Sequence, residues 1–174
     1  MSALEIFCDK YCDCDRIISF YQKDKPYYEL SNFYSLPFYD DENRYWYNSE
    51  AYFQAHKFTD DTLFEKIRLS KSPRIARNLG QTKHPSFRND WNFIKDNIMK
   101  KAILFKFTKS KDAEKFWKGE ESNCDLALHL LKDSEGAILI EESLKDSYWG
   151  IGKDGKGSNK LGYFLMELRD NLIY

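Results

Sequence analysis

The feature that most restricts the fold is a succession of helix-start signals crowded into the middle of the chain. Asn48-Ser49, Asp60-Asp61, Ser72-Pro73 and Asn89-Asp90 each set a side-chain oxygen where it can accept the orphan amides of a helix N-terminus, and Pro73 adds a ring suited to the first helical position. Helices are therefore expected from Glu50 to about Phe58, from Asp61 to Leu69, from Pro73 to Gly80 and from Trp91 through Phe105. The last repeats apolar residues at helical spacing: Trp91, Ile94, Ile98, Met99, Ala102, Leu104 and Phe105. Helix, not strand, dominates this region.

Strand signals lie mostly outside it. Ile17-Ile18-Ser19-Phe20-Tyr21 is rich in β-branched and aromatic residues, and Ala137-Ile138-Leu139-Ile140 reads as a buried strand. Between them come the apolar segments Leu30–Tyr34 and Leu36–Tyr39, a polar connection Asp40–Arg44 and a short strand Tyr45-Trp46-Tyr47, which together predict a hairpin. Two short helices are expected at Asp112–Trp117 and Cys124–Leu131. A final one, Leu161–Leu172, places Leu161, Phe164, Leu165, Leu168 and Leu172 on one face. With no internal repeat, the expectation is a single α+β domain over 16–174, mainly helical with a small β-sheet, preceded by a loosely ordered arm at 1–15.

Charge then narrows the function. The 174 residues hold 27 Lys plus Arg against 28 Asp plus Glu, a net charge of −1, so a protein that coats duplex nucleic acid is disfavoured. No run of 18 apolar residues occurs, and Glu5, Asp9, Asp13 and Asp15 stand where a signal peptide needs a basic start, which predicts a soluble, intracellular protein, cytoplasmic with the nucleus left open, and no membrane partner. Cys8, Cys12 and Cys14 are read as free thiols of the arm. A zinc site there would need Cys124 or His129 as a distant fourth ligand. His84 is expected in a loop and His129 on a half-buried helix face.

Aromatic residues make up 17% of the chain. Phe53, Phe105, Phe107, Phe116 and Phe164 are assigned to core faces of helices, whereas Trp91, Trp149, Tyr52 and Tyr148 neighbour polar motifs and are candidates for a base-stacking wall.

Three segments put polar groups and glycines where a core would not want them. In Ser49–Phe58, the side chains of Gln54 and Lys57 fall within about 40° of that of Glu50 at 100° per residue, and Phe53 draws the stripe inward. Desolvation there lowers an amine pKa and raises a carboxyl pKa, bringing both toward neutrality. Alternatively the stripe is a solvated face. The second segment, Lys145–Asn159, is glycine-rich around Asp146, Trp149, Gly150, Gly152, Gly155 and Gly157, and its spacing would expose backbone amides to a phosphate ahead of a helix. It matches neither a Walker A loop nor a dinucleotide fingerprint, and a long surface turn is the plain alternative. The third pairs Ser31-Asn32-Phe33 with Arg88-Asn89-Asp90-Trp91, a set suited to a base, a ribose and a phosphate, although Trp91 serves equally as a core anchor.

In this order, these segments resemble the NADAR family, also described as YbiA-like proteins, from about Ile17 to Leu172. The carrying motifs are Leu30–Phe33, Ser49–Phe58, Ser72-Pro73 with Ala76 and Gly80, Asp90-Trp91, Asp146–Gly152, and Gly157–Gly162 with Leu165-Met166 and Arg169. The resemblance implies a YbiA-like domain and an N-glycosidase acting on ribosylated amines: either ribosylamino-pyrimidine phosphate intermediates of riboflavin synthesis or ADP-ribosyl-guanine, the latter free or in single-stranded nucleic acid. Family members commonly carry Arg after the glycine that closes the third helix, where this chain has Gln81. The first sixteen residues have no counterpart in the family.

The mechanism that the resemblance implies has Glu50 as acid and base and Lys57 as a Schiff-base nucleophile, with Asp146 orienting a sugar hydroxyl or the Lys57 amine. Trp91 or Trp149 would stack on the base, and Asn32, Gln54, Arg88, Gly150, Gly157 and Asn159 would bind the rest of the substrate. A plainer variant sets Glu50 and Asp146 as the two carboxylates of a glycosidase. No metal or other cofactor is expected, and the chain is expected to act as a monomer. The competing classes are a non-catalytic ADP-ribose reader and a scaffold whose aromatic surface meets a protein partner.

Overall fold

The computed structural model describes residues 16–110 and 123–173. Along them run β1 (Ile17–Phe20), a 3-10 turn at Tyr28–Leu30, β2 (Phe38–Tyr39), β3 (Tyr45–Trp46), α1 (Ser49–Ala55), α2 (Asp61–Arg68), α3 (Pro73–Gly80), α4 (Trp91–Thr108), α5 (Asn123–Asp133), β4 (Ile138–Glu141) and α6 (Lys160–Ile173). This is the expected α+β class, mainly helical. The strands form two ladders instead of one sheet: β1 pairs with β4 in parallel, Ile17 opposite Ile138, and β2 pairs antiparallel with β3, Phe38 opposite Trp46. The chain divides into two packed units, one of Met1–Ser31 with Ala127–Tyr174 and the other of Asn32–Leu126. The cysteine arm at 1–15, the short helix at Asp112–Trp117 with Phe116, and the side chain of Cys124 lie outside the described residues.

In the second unit the helix starts follow the sequence signals. Asn48 Oδ1 accepts the Ala51 amide at 2.8 Å while its Nδ2 donates to the Ser70 carbonyl at 3.2 Å, so one side chain caps α1 and ties it to the end of α2. Asp60 caps α2 through the Leu63 amide at 2.7 Å, and Pro73 opens α3, whereas the Ser72 side chain makes no cap bond there. Asp90 departs from expectation: it precedes α4, but its carboxylate takes both arms of Arg88, at 2.9 and 2.8 Å, and makes no cap bond. All seven residues of α1 are buried, because α2, α3 and α4 pack around it. The core joins Phe38, Trp46, Ala51, Tyr52, Ala55, Phe58, Ile67, Ala76, Ala102 and Phe105. Tyr52 is only 2% exposed, with its ring against Trp46 and Phe105. It is a core residue and not part of a stacking wall.

Helix α1 stops at Ala55, short of the expected Phe58. Past it the chain pairs with a distant segment: Arg88 N donates to the Lys57 carbonyl at 2.8 Å, Thr59 N donates to that of Ser86 at 3.0 Å, and Phe58 bridges Phe87. These bonds replace the ladder that a longer helix would have made.

In the first unit α6 packs on β4, and Gly162 permits the approach, since a Cβ there would lie 2.2 Å from the Leu139 carbonyl oxygen. The buried guanidinium of Arg169 donates to the carbonyls of Ser134 and Ala137 at 2.6 and 2.8 Å, fixing the turn between α5 and β4. His129 is exposed, its side chain 69% accessible and paired with Asp133 at 3.0 Å, so the half-buried helix face expected for it is not found.

Candidate active site

Helix α1 offers no solvent-facing side, so its polar side chains need internal partners. Glu50, at 6% exposure, and Gln54, at 5%, stand one turn apart, and Gln54 Nε2 donates to Glu50 Oε1 at 2.7 Å. Gly80 at the end of α3 makes the room: a Cβ on it would fall 2.0 Å from Gln54 Oε1 and 2.8 Å from Gln54 Cβ.

Lys57 comes next in the turn after α1 and is half-buried. Its Nζ lies 5.5 Å from the centroid of Phe53 and 5.8 Å from that of Trp91, two rings set edge to face at 5.0 Å. Burial pushes the Lys57 amine below its ordinary pKa; Glu50 pulls it back upward, and the nearby positive charge of Arg77 lowers it further. Arg77, on α3, rests over the ring of Phe33 at 5.8 Å. Sequence reasoning missed Arg77. Its place on α3 between Ala76 and Gly80, both buried against α1, was the available signal.

The unit thus brings Glu50, Gln54, Lys57, Phe53 and Trp91 together, with Arg88 joined through its backbone to Lys57. Trp91 is buried against Phe53. Asn32 is buried as well: its Oδ1 accepts from Ser49 Oγ at 2.9 Å, and its Nδ2 contacts Met99 Sδ at 3.0 Å. One polar end of Asn32 holds the start of α1 and the other meets Met99 on α4, which corrects its assignment to ribose or phosphate. Arg88 gives its fork to Asp90, so the expectation of a guanidinium aimed at phosphate is not met either.

In the other unit the glycine-rich segment is organised from within. Asp146 Oδ1 accepts the amides of Tyr148 and Trp149 at 2.9 and 2.8 Å, a turn that sets the rings of those two residues edge to face at 5.0 Å. Trp149 also meets Phe164 of α6. Gly150 and Gly157 are glycines for want of space, since a Cβ would lie 2.7 Å from the Glu141 oxygen in one case and 2.4 Å from the Gly150 oxygen in the other. The amides of Ile151, Gly152, Gly155, Gly157, Ser158, Asn159, Lys160 and Leu161 all donate to carbonyls nearby. The open row of amides predicted from glycine spacing is therefore absent from these positions. Asn159, buried at φ +46°, accepts from Glu141 N at 2.9 Å and donates to the Leu139 carbonyl at 2.8 Å. Its side chain fastens α6 to β4 and is not available to hold a ligand.

Chemically, the second unit offers a buried carboxyl beside an amine of lowered pKa, lined by aromatic rings. Among the described residues no helix is long and apolar enough to cross a membrane. The chain as a whole is similar to known proteins. The chain is 39% identical over 158 residues to the N-glycosidase YbiA of Escherichia coli K12, covering 91% of this chain and 89% of that one. It is 32% identical to an N-glycosidase of Nostoc punctiforme over 89% of this chain and 92% of that protein, and 33% identical to the chloroplastic riboflavin biosynthesis protein PYRR of Zea mays, of which it covers 25%. The NMR structure of E. coli YbiA superposes with a TM-score of 0.74 at 38% identity, over 92% of this chain and 86% of that one. With N-glycosidases matched over nearly their whole length, the chain is a hydrolase of N-glycosyl compounds. Residues 19–173 match the NADAR domain, spanning both packed units, and the chain belongs to the NADAR family.

Proposed function

We propose that this protein hydrolyses the bond between the anomeric carbon of a ribosyl group and an exocyclic amine nitrogen, with Glu50 as acid and base and Lys57 as nucleophile. The observation that carries the reading is the Lys57 amine, held over Phe53 and Trp91 with its pKa lowered by burial and within reach of the charge of the buried Glu50. A neutral amine is a nucleophile, whereas an ammonium is not.

The reaction begins when the Glu50 carboxylic acid protonates the ring oxygen as its bond to the anomeric carbon breaks, and the nitrogen lone pair forms an iminium with that carbon. The neutral Lys57 amine adds to the iminium carbon. One proton then passes from the Lys57 nitrogen through Glu50 to the leaving nitrogen, whose bond to carbon breaks, and the free amine departs. Water adds to the remaining protonated Lys57 Schiff base, and as the open-chain sugar aldehyde and the neutral Lys57 amine are released the proton returns to Glu50. One water is consumed overall.

The substrate class we assign is a ribosylamino-pyrimidine phosphate. Support comes from relatives in Zea mays and Vibrio vulnificus that are named riboflavin biosynthesis proteins, 33% and 34% identical to this chain. The resemblance assigns a sugar hydroxyl to Asp146, and loss of turnover in Asp146→Asn tests that role. The deciding experiment compares a ribosylamino-pyrimidine phosphate with ADP-ribosyl-guanosine, with Glu50→Gln as the control. Turnover of the first alone supports the assignment; turnover of the second alone moves the substrate to ADP-ribosyl-guanine. Binding of ADP-ribose without turnover of either makes the domain a reader. Borohydride during turnover should leave a reduced sugar adduct on Lys57. A trap that finds no adduct, with Lys57→Ala fully active, returns the mechanism to two carboxylates.

A further inference from the structure

Gln54 makes no use of its buried oxygen. Its Nε2 is committed to Glu50 Oε1 at 2.7 Å, while Oε1 is fully enclosed without a hydrogen-bond partner and lies where a side chain on Gly80 would be. An amide oxygen buried in that way costs free energy, so packing alone would favour an apolar residue of the same shape. The enclosed oxygen of Gln54 lies against Gly80 of α3. A substrate-binding role, as read from the sequence, does not fit a group whose one donor faces Glu50 and whose acceptor faces a glycine.

We infer that Gln54 is a positioning residue for Glu50: seated in the space left by Gly80, its amide fixes the plane of the carboxyl group that exchanges a proton with substrate. This inference rests on the reading of Glu50 as the acid and base. Three features bear it out. The spacing of four residues on a helix directs the two side chains at each other. Once Glu50 has given up its proton, the bond to the carboxylate is charge-assisted and strongly oriented. The glycine at 80 leaves the space that this Gln54 conformation occupies, which any Cβ would fill. A carboxyl that must give and recover a proton at fixed atoms gains most from such fixation, since small displacements of a reacting group cost large factors in rate.

The test uses Gln54→Met, which keeps length and volume and removes the donor. With the ribosylamino-pyrimidine phosphate as substrate, kcat should fall about 10- to 100-fold while KM stays within about twofold, because a tilted acid weakens the transition state and leaves ground-state binding intact. A purely structural role predicts instead a lowered melting temperature with kcat unchanged, and that result overturns the proposal. A second measurement does not depend on turnover. In the 15N–1H spectrum of the intact protein, the Gln54 side-chain amide should resonate downfield and exchange slowly, and Glu50→Gln should move it upfield. A Gln54 amide indifferent to Glu50→Gln overturns the proposal even if the enzyme proves to act on another substrate. If instead the amide responds and wild-type protein turns over no ribosylamine, the reading of the activity fails and the positioning of Glu50 stands.

Discussion

Lys57 Nζ and the ring centroid of Trp91 are 5.8 Å apart, so a basic amine is held at an aromatic face in a site where water is scarce. Two effects of opposite sign act on it there. Attraction to a ring stabilises the ammonium by about 0.5–1 kcal/mol, while desolvation opposes it and pushes the amine below its ordinary pKa.

The first prediction is a rate profile. Turnover limited by imine formation should rise with pH through the depressed pKa of Lys57, below the 10.5 of an unburied lysine. Trp91→Ala admits water, and the limb should move toward higher pH despite the lost ring attraction. Initial rates across pH in the two proteins check it, and a limb that moves to lower pH shows the ring attraction to be the larger effect.

Lys57 also predicts a trade between stability and activity. In the interval between its folded pKa and 10.5 the unfolded chain binds the extra proton, so stability rises with pH there, and below it the buried ammonium opposes folding. Lys57→Met should therefore raise the melting temperature at neutral pH while abolishing turnover. Calorimetry and the substrate assay on one preparation read both.

Gly80→Ala sets two known magnitudes against each other. Alanine gains about 1 kcal/mol of helix propensity over glycine, but its Cβ would meet Gln54 Oε1 at 2.0 Å and Gln54 Cβ at 2.8 Å. Overpacking of that severity costs about 1–3 kcal/mol. The net expectation is a less stable protein with reduced kcat, measured by urea denaturation and steady-state kinetics.

Asp40 anchors the hairpin. Burial by itself would raise its carboxyl, yet the Arg44 amide, the Trp46 indole and the Arg44 guanidinium, at 2.8, 2.9 and 2.8 Å, hold it below the usual 3.8. The stabilisation is present above 3.8 and is lost as pH falls through the lower folded value. Asp40→Asn should cost about 2–4 kcal/mol at pH 7 and flatten the acid limb of the melting temperature.

The features legible from sequence were those determined within a few residues: the caps at Asn48 and Asp60, the proline start of α3, the turn between Tyr39 and Tyr45. Glu50 and Lys57 were also legible as neighbours, since a spacing of about two helical turns returns them to one side of the chain even though α1 ends at Ala55. The end itself was not, because it depends on residues 57–59 bonding to 86–88, a pairing of segments far apart in sequence. The asparagines misled for a related reason. Asn32 and Asn159 look like ligand groups in a linear motif, and only the fold reveals that Ser49 in one case and β4 in the other have already taken their hydrogen bonds. Arg88 was similarly claimed by Asp90, two residues away, where helix capping had been expected.

Helix α1 has seven residues, too few to persist alone in water, and every one of them is enclosed by its neighbours. An unfolded or half-assembled chain consequently has neither the Glu50–Gln54 pair enclosed nor the Lys57 amine lowered from its ordinary pKa by burial, since both depend on the packing of α2, α3 and α4 around α1. The chemistry we propose is thus conditional on completed folding, and under it a partly folded chain exposes no primed amine to the reactive aldehydes of its surroundings.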